Sequence, residues 1–301
     1  MFGFDYKQPF HYMITMRKNW QTPAFSTIIH PSDSGYMEDV FPVGRIVRKQ
    51  LVDFKYYYPS IHIMYKALMP DHVHFMVHVK ERLEWDLSFY IGLLKGRCST
   101  EWWRRYPAMN GYPLFEEGFH DRIMMSAGQF DKIKNYIQDN PRRLWIKQHN
   151  PELFCEFHQL YINGRIYDAV GNMFLLDDFG ILPVKNSSHD SSSINAYKKA
   201  LWIHASKNGG VLASPFLNQE EKIYRDMALD NIGKVILFQS EPFQDKFKPA
   251  GRYFDVCNEG RLLILAPREP IHRHKYINKV AAEILNEAAN AISLHNYIVI
   301  R

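Results

Sequence analysis

Ile61-His62-Ile63-Met64-Tyr65-Lys66-Ala67-Leu68 and Val73-His74-Phe75-Met76-Val77-His78-Val79, separated by Met69-Pro70-Asp71, decide how the first half of the chain folds. Both runs are strand-like and the Pro-Asp step between them is a turn, which predicts an antiparallel pair. Side chains alternate along a strand, so His72 and His74 project from one face while Val73 and Phe75 point to the other. His78 shares their parity, with Met76 intervening. Two neutral imidazoles placed in this way can share one divalent metal, although the same spacing also serves purely structural histidines.

Outward from this pair, strand-like and helix-like segments alternate. Tyr12 to Arg17 reads as a strand, and Gly44 to Lys55 spaces Ile46, Val47, Leu51 and Phe54 at helical intervals. Leu87 to Trp103 reads as helix and Phe119 to Met124 as strand. Phe130 to Asn140 reads as a helix that Pro141 should end or kink. Strand, helix, hairpin, helix, strand, helix predicts an α+β domain, an antiparallel sheet covered by helices.

On the last of these helices, i and i+4 spacing puts Tyr136 and Asn140 on one face. A phenol oxygen can attack phosphorus, and an amide oxygen one turn away can complete a metal shell. A core tyrosine followed by a helix-ending Asn-Pro is the plainer alternative.

The chain has 301 residues, 46% hydrophobic and 23% charged, which suits about two globular domains and excludes disorder or a fibre. Cys98, Cys155 and Cys257 lie far apart and show no metal-type spacing, so neither a disulfide framework nor a zinc ribbon is expected. No run approaches the roughly 18 apolar residues of a membrane span. Asp5 and Lys7 also interrupt the start where a leader would be apolar, so a cytoplasmic protein without membrane contact is expected.

The net charge of +5 falls wholly in residues 1–150, with 20 Lys plus Arg against 15 Asp plus Glu; the remainder balances at 17 against 17. A basic first half suits a polyanion partner. Lys95, Arg97, Trp102, Trp103, Arg104 and Arg105 interleave charge with aromatics able to stack on bases. Arg122, Arg142 and Arg143 lie near the Tyr136 helix and are further candidates for phosphate contact. Each on its own reads more readily as a solvated surface charge, and the tryptophans equally as packing.

Three domains or connectors are expected: residues 1–150, a hairpin connector at 151–170 centred on Asn163-Gly164, and a C-terminal domain at 171–301. In the last, strands at Gly210 to Ala213, Lys234 to Phe238 and Leu262 to Ala266 are separated by helices at Ile194 to Lys207, Asn218 to Asp230 and His274 to Leu294. Short apolar strands between helices predict a parallel, doubly wound α/β sheet. Ser214-Pro215-Phe216 could aim backbone N–H groups at a phosphate or could simply begin a helix. Glu220 and Glu221 fit a hydrolytic site or a helix start, and His272-Arg273-His274 reads as a basic surface.

Met69-Pro70-Asp71-His72-Val73-His74, Phe119-His120-Asp121-Arg122-Ile123 and Tyr136-Ile137-Gln138-Asp139-Asn140-Pro141 occur in that order. Together they resemble the HUH (His-hydrophobic-His) single-tyrosine transposases, in particular the REP-associated tyrosine transposase branch, from about Pro9 to Leu144. Asp71 stands where that family has Asn. The resemblance implies a single-stranded DNA endonuclease and strand transferase that forms a 5′-phosphotyrosine on Tyr136. It implies Mg²⁺ or Mn²⁺ held by His72, His74 and Asn140, and single-stranded or hairpin DNA as partner, with a homodimer left open. A DNA hairpin-binding protein that does not cleave remains the alternative.

Residues 171 to 294, through Lys248-Pro249-Ala250-Gly251-Arg252 and Glu259-Gly260-Arg261-Leu262-Leu263, resemble a SLOG-type Rossmann-like domain of the DNA-processing-protein A kind. That implies nucleotide or single-strand DNA binding. It also leaves open a reading in which the second domain is the active, nucleotide-processing part. The glycine-rich phosphate loop of such domains is replaced here by Ser214-Pro215-Phe216.

Overall fold

The computed structural model describes residues 4–30, 35–154, 158–185, 190–245, 247–271 and 277–300. The chain divides into two compact units, Met1–Ile146 and Lys147–Arg301. Among the described residues no helix is long and apolar enough to cross a membrane. Cys98 and Cys257 are buried free thiols, and burial pushes the Cys257 thiol up to about 12. Cys155 lies outside the described residues.

In the first unit β1 (His11–Arg17) is followed by a small hairpin, β2 (Ser26–Ile29) and β3 (Met37–Val40), that the sequence did not signal. Next come α1 (Pro42–Tyr57), β4 (Ile61–Leu68), β5 (His72–Val79), α2 (Leu87–Arg105), β6 (His120–Ile123) and α3 (Ala127–His149). Strands β4-β5-β1-β6 form one antiparallel sheet, as expected. Helix α1 starts at Pro42, which has no N–H to leave unpaired in the first turn, and buries Val43, Ile46, Val47, Leu51 and Phe54 at three- and four-residue spacing. Gly44 is required there, because a Cβ would stand 2.0 Å from the Phe25 carbonyl oxygen.

The sheet has two differently covered faces. Tyr12, Ile14, Met16, Val73, Phe75 and Val77 pack with α1 and with Ile91, Leu94, Cys98 and Trp102 of α2 in the main core. Each large apolar side chain buried in this way contributes about 1.5–3 kcal/mol. On the other face, Ala67, Met69, Met76 and Met124 meet Ile133 and Ile137 of α3, with Met13 and Met64 partly buried against them. Helix α3 therefore lies over the face from which His72 and His74 project.

Pro141 does not end α3, which continues to His149. Proline removes the N–H that the Ile137 carbonyl would accept. On the neighbouring Tyr136 carbonyl, the Asn140 side chain donates from Nδ2 at 2.7 Å. Buried Ile133, Ile137 and Ile146 keep an apolar face in register across the proline, so packing outweighs the lost backbone bond.

The second unit contains α4 (Pro151–Phe154), β7 (His158–Ile162), β8 (Arg165–Gly171), β9 (Leu182–Pro183), α5 (Ser192–Lys207), β10 (Val211–Ser214) and α6 (Gln219–Asp230). It continues through β11 (Lys234–Phe238), α7 (Arg252–Asn258), β12 (Leu262–Pro267), α8 (Lys279–Ser293) and β13 (Ile298–Ile300). One seven-stranded sheet runs β13-β7-β8-β12-β11-β10-β9. Strands β9 to β12 are mutually parallel, but β8 is antiparallel to β12, β7 to β8, and β13 to β7. The sheet is mixed rather than wholly parallel as expected. A fully buried strand such as β12 presents the same apolar run whichever way its neighbour points.

Asn163 and Gly164 take the positive φ values, 47° and 80°, that a two-residue hairpin turn needs. The hairpin they form is β7–β8, inside this sheet, not a connector between domains. The expected C-terminal helices occur, the closing one shortened to Lys279–Ser293, and α7 was not foreseen. His272-Arg273-His274 lies outside the described residues.

Three second-unit candidate residues are engaged internally. Buried Ser214 donates from Oγ to the Val184 carbonyl at 2.7 Å and accepts the Phe216 N–H at 3.0 Å. Glu221, 4% exposed, accepts the Leu217 N–H at 2.9 Å, while its own N–H donates to Asn218 Oδ1 at 2.8 Å in a capping box. Glu220 pairs with Lys199 at 2.5 Å.

Candidate active site

The ladder of the first sheet sets the site. Thr15 on β1 stands opposite His74 on β5 and opposite His120 on β6; one step along, Met13 stands opposite Met76 and Arg122. Residues directly opposite in an antiparallel ladder share a face, so His74, Thr15, His120 and Arg122 all lie on the side covered by α3.

His72 and His74 converge as their spacing predicts: their Nε2 atoms are 3.0 Å apart. Each ring is held from behind. His72 Nδ1 lies 2.6 Å from Asp71 Oδ1, and His74 Nδ1 lies 2.7 Å from Thr15 Oγ1. Oxygen partners at both Nδ1 atoms leave the two Nε2 atoms facing each other, an arrangement that would suit a metal-binding pair. A separation of about 3 Å also suits adjacent ligands of one octahedral cation bonded at about 2.1 Å.

Burial is the main cause that pushes His74 down to about 3; the neighbouring His72 and Arg17 add to the shift and Asp71 opposes it. A neutral imidazole at ordinary pH is the form that can bind a cation. Asp71 is held down to about 2, chiefly by its hydrogen bond with His72. Among the described residues no group of three or more His, Cys, Asp or Glu gathers around a common point. A cation at the histidine pair would therefore draw its other ligands from amide, water or phosphate oxygens.

Helix α3 brings Tyr136 to this pair. The Tyr136 ring centre is 5.4 Å from that of His74, and the residue is 45% exposed. Asn140 follows one turn later. Its Nδ2 donates to the Tyr136 carbonyl, and its Oδ1 takes no part in that bond. A cleft of about 400 Å³ opens beside Tyr136 and His74, lined also by Thr15, His120, Arg122 and Lys132.

Of the seven basic residues singled out in the sequence, Arg122 alone lines this cleft. Lys95, Arg97, Arg104 and Arg105 belong to α2, whose buried side packs on the opposite face of the sheet. Lys95 donates to the carbonyls of Glu116 and Gly118, and the Arg97 guanidinium lies 3.4 Å from the centre of the Tyr57 ring. Arg104 and Arg105 share the Glu101 carboxylate. Arg142 and Arg143 face Asp139 on α3, at 2.5 and 4.0 Å. Trp102 is buried and Trp103 donates to the Tyr112 carbonyl, so both serve packing.

Thr15 and Lys132 escaped the sequence reading, and His120 entered it only as part of the motif Phe119 to Ile123, without a role of its own. Lys132 had a usable signal, since it precedes Tyr136 by four residues and shares its helix face. Thr15 had none, because only the strand register places it behind His74.

Residues 49–140 match the family of IS200-like transposases, and the matched segment includes His72, His74, Tyr136 and Asn140. Two solved structures are similar to part of the chain. One is a REP-associated tyrosine transposase bound to a REP hairpin, 14% identical, covering 48% of this chain and 73% of its own, with a TM-score of 0.36. The other is a protein of Deinococcus radiodurans R1 described as a candidate transposase, 15% identical, covering 46% of this chain and 96% of its own, with a TM-score of 0.30. No curated protein matches the chain. The family match lies wholly within the first unit.

Proposed function

We propose that the first unit is a metal-dependent, transposase-like endonuclease and strand transferase for single-stranded or hairpin DNA, with Tyr136 as nucleophile. The observation that carries this reading is the 5.4 Å approach of the Tyr136 and His74 rings, inside the segment that matches IS200-like transposases. His72 and His74, through Nε2, and Asn140, through Oδ1, would hold Mg²⁺ or Mn²⁺. The bound cation would neutralise charge on the scissile phosphate and orient it.

Tyr136 does the covalent work. Its Oη forms a bond to phosphorus as the P–O3′ bond breaks, giving a 5′-phosphotyrosine and a free 3′ end. The phenolic proton leaves and the departing 3′ oxygen gains one, so the step is balanced without water. Because the ester bond energy is kept, attack by another 3′-hydroxyl can reverse the step and join a different strand. Asp71 and Thr15 act on ring orientation, holding both histidine Nε2 atoms toward one point.

The test is incubation with a library of hairpin-bearing single strands and Mn²⁺, followed by mapping of covalently attached 5′ ends. An adduct with the unaltered protein, lost in Tyr136→Phe while DNA binding stays within about twofold, is the expected result. An adduct formed by Tyr136→Phe overturns the assignment. DNA binding with no adduct from the unaltered protein favours the non-cleaving hairpin-binding reading. For the second unit, the parallel strands β9 to β12 with α5, α6 and α7 between them support a Rossmann-like, SLOG-type reading. The internal bonding of Ser214 weighs against Ser214-Pro215-Phe216 as its phosphate loop.

A further inference from the structure

Resting on that reading, we infer that the DNA backbone reaches Tyr136 along the cleft between β6 and the first half of α3. There Lys132 and Arg122 hold a phosphate, and the basic stretch of α2 takes no part in that contact.

Lys132, Tyr136 and Asn140 follow one another at i, i+4 and i+8, along one side of α3. The nucleophile is thus bracketed, with the amide on the C-terminal side and an ammonium on the N-terminal side. Across the cleft from Lys132, Arg122 and His120 rise from alternate positions of β6 on the same sheet face as His74. A phosphate beside Tyr136 would therefore meet cationic groups from two separate elements.

These cations differ from the basic residues of α2 in that their side chains hold nothing else. Among the described residues no hydrogen bond, ion pair or ring contact engages the side chain of Lys132 or Arg122. By contrast, Lys95 is taken by two carbonyls, Arg97 by Tyr57, and Arg104 and Arg105 by Glu101. The carboxylate lining the cleft, Asp121, accepts the Tyr6 hydroxyl at 2.9 Å. Long cationic side chains without a carboxylate partner, in a concave site, are the means by which proteins collect backbone phosphates. Both residues are exposed, so their truncation leaves the core untouched.

The experiment is retention of a randomised single-stranded DNA pool by the full chain over a series of KCl concentrations. Each phosphate contact on a single strand contributes about 0.7 to the slope of log affinity against log salt. Lys132→Ala and Arg122→Ala should each lower the slope by about that amount, and Lys132→Arg should restore it. Arg104→Ala and Arg105→Ala should leave it unchanged. Unaltered slopes in Lys132→Ala and Arg122→Ala, or a loss confined to the α2 variants, overturns the proposal.

Retention needs no strand breakage, so its outcome separates from that of the nuclease reading. Slopes lowered as expected without any tyrosine adduct would uphold the cleft and sink the nuclease; an adduct with unchanged slopes does the reverse. Failure of the unaltered protein to retain the pool overturns both.

Discussion

Thr15 Oγ1 lies 2.7 Å from His74 Nδ1, directly across the β1–β5 ladder. The contact joins an ordinary strand position to the centre of the candidate site. With Nδ1 engaged, the imidazole has one fixed rotation and Nε2 faces His72. Removing such a partner commonly costs 10–100-fold in metal affinity or activity. Thr15→Val keeps the shape of the side chain and deletes the hydroxyl. Its Mn²⁺ requirement for DNA cleavage, measured as the concentration for half-maximal rate, should rise by about tenfold or more, with Thr15→Ser close to the unaltered protein.

Stability should fall in acid over a window set by the same residues. His74 titrates at about 3 in the folded chain against an ordinary value of 6.5. Between these values the unfolded chain binds a proton that the folded chain refuses. The contribution is therefore full above about pH 6.5 and is lost as pH falls toward 3, by up to about 1.4 kcal/mol per pH unit. Asp71, lowered from 3.8 to about 2, contributes in the same direction but lower: its share is present above 3.8 and lost as pH falls through 2. Urea midpoints between about pH 7 and pH 4.5 should drop for the metal-free protein, and His74→Gln should flatten that drop.

Glu221 carries a prediction of a different kind. Its carboxylate caps α6 while nearly enclosed, so its loss strips the Leu217 N–H of its acceptor and dismantles the capping box. Glu221→Ala should lower unfolding stability by about 1–2 kcal/mol, read from the urea midpoint. The adduct yield on DNA at low denaturant should not change. A fall in adduct yield at equal folded fraction would show that the residue does more than cap a helix.

Much of the candidate site was legible because its parts follow fixed periods. The alternation of β5 puts His72 and His74 on one face, and the helical repeat joins Tyr136 to Asn140. What brings these two elements together is tertiary: the β1 register and the seating of α3 are written in no local pattern. The same limit explains Thr15. Pro141, expected to end or kink the helix, did not end it, since the apolar face continues to Ile146. In the second unit Asn163-Gly164 announced its turn correctly, but no local signal says whether a hairpin joins a neighbouring sheet or stands apart.

The interface of α3 with the sheet is built largely from thioethers: Met69, Met76 and Met124 within it, and Met13 and Met64 at its margin. Unbranched sulfur-containing chains fill irregular gaps and readjust at little energetic cost. The tyrosine-bearing helix therefore rests on a compliant cushion while the two imidazoles stand on hydrogen-bonded strands, and adjustment between the halves of the centre falls to the helix. Oxidation of those sulfurs to sulfoxides would put polar, bulkier groups under that helix and misalign it without touching Tyr136, His72 or His74.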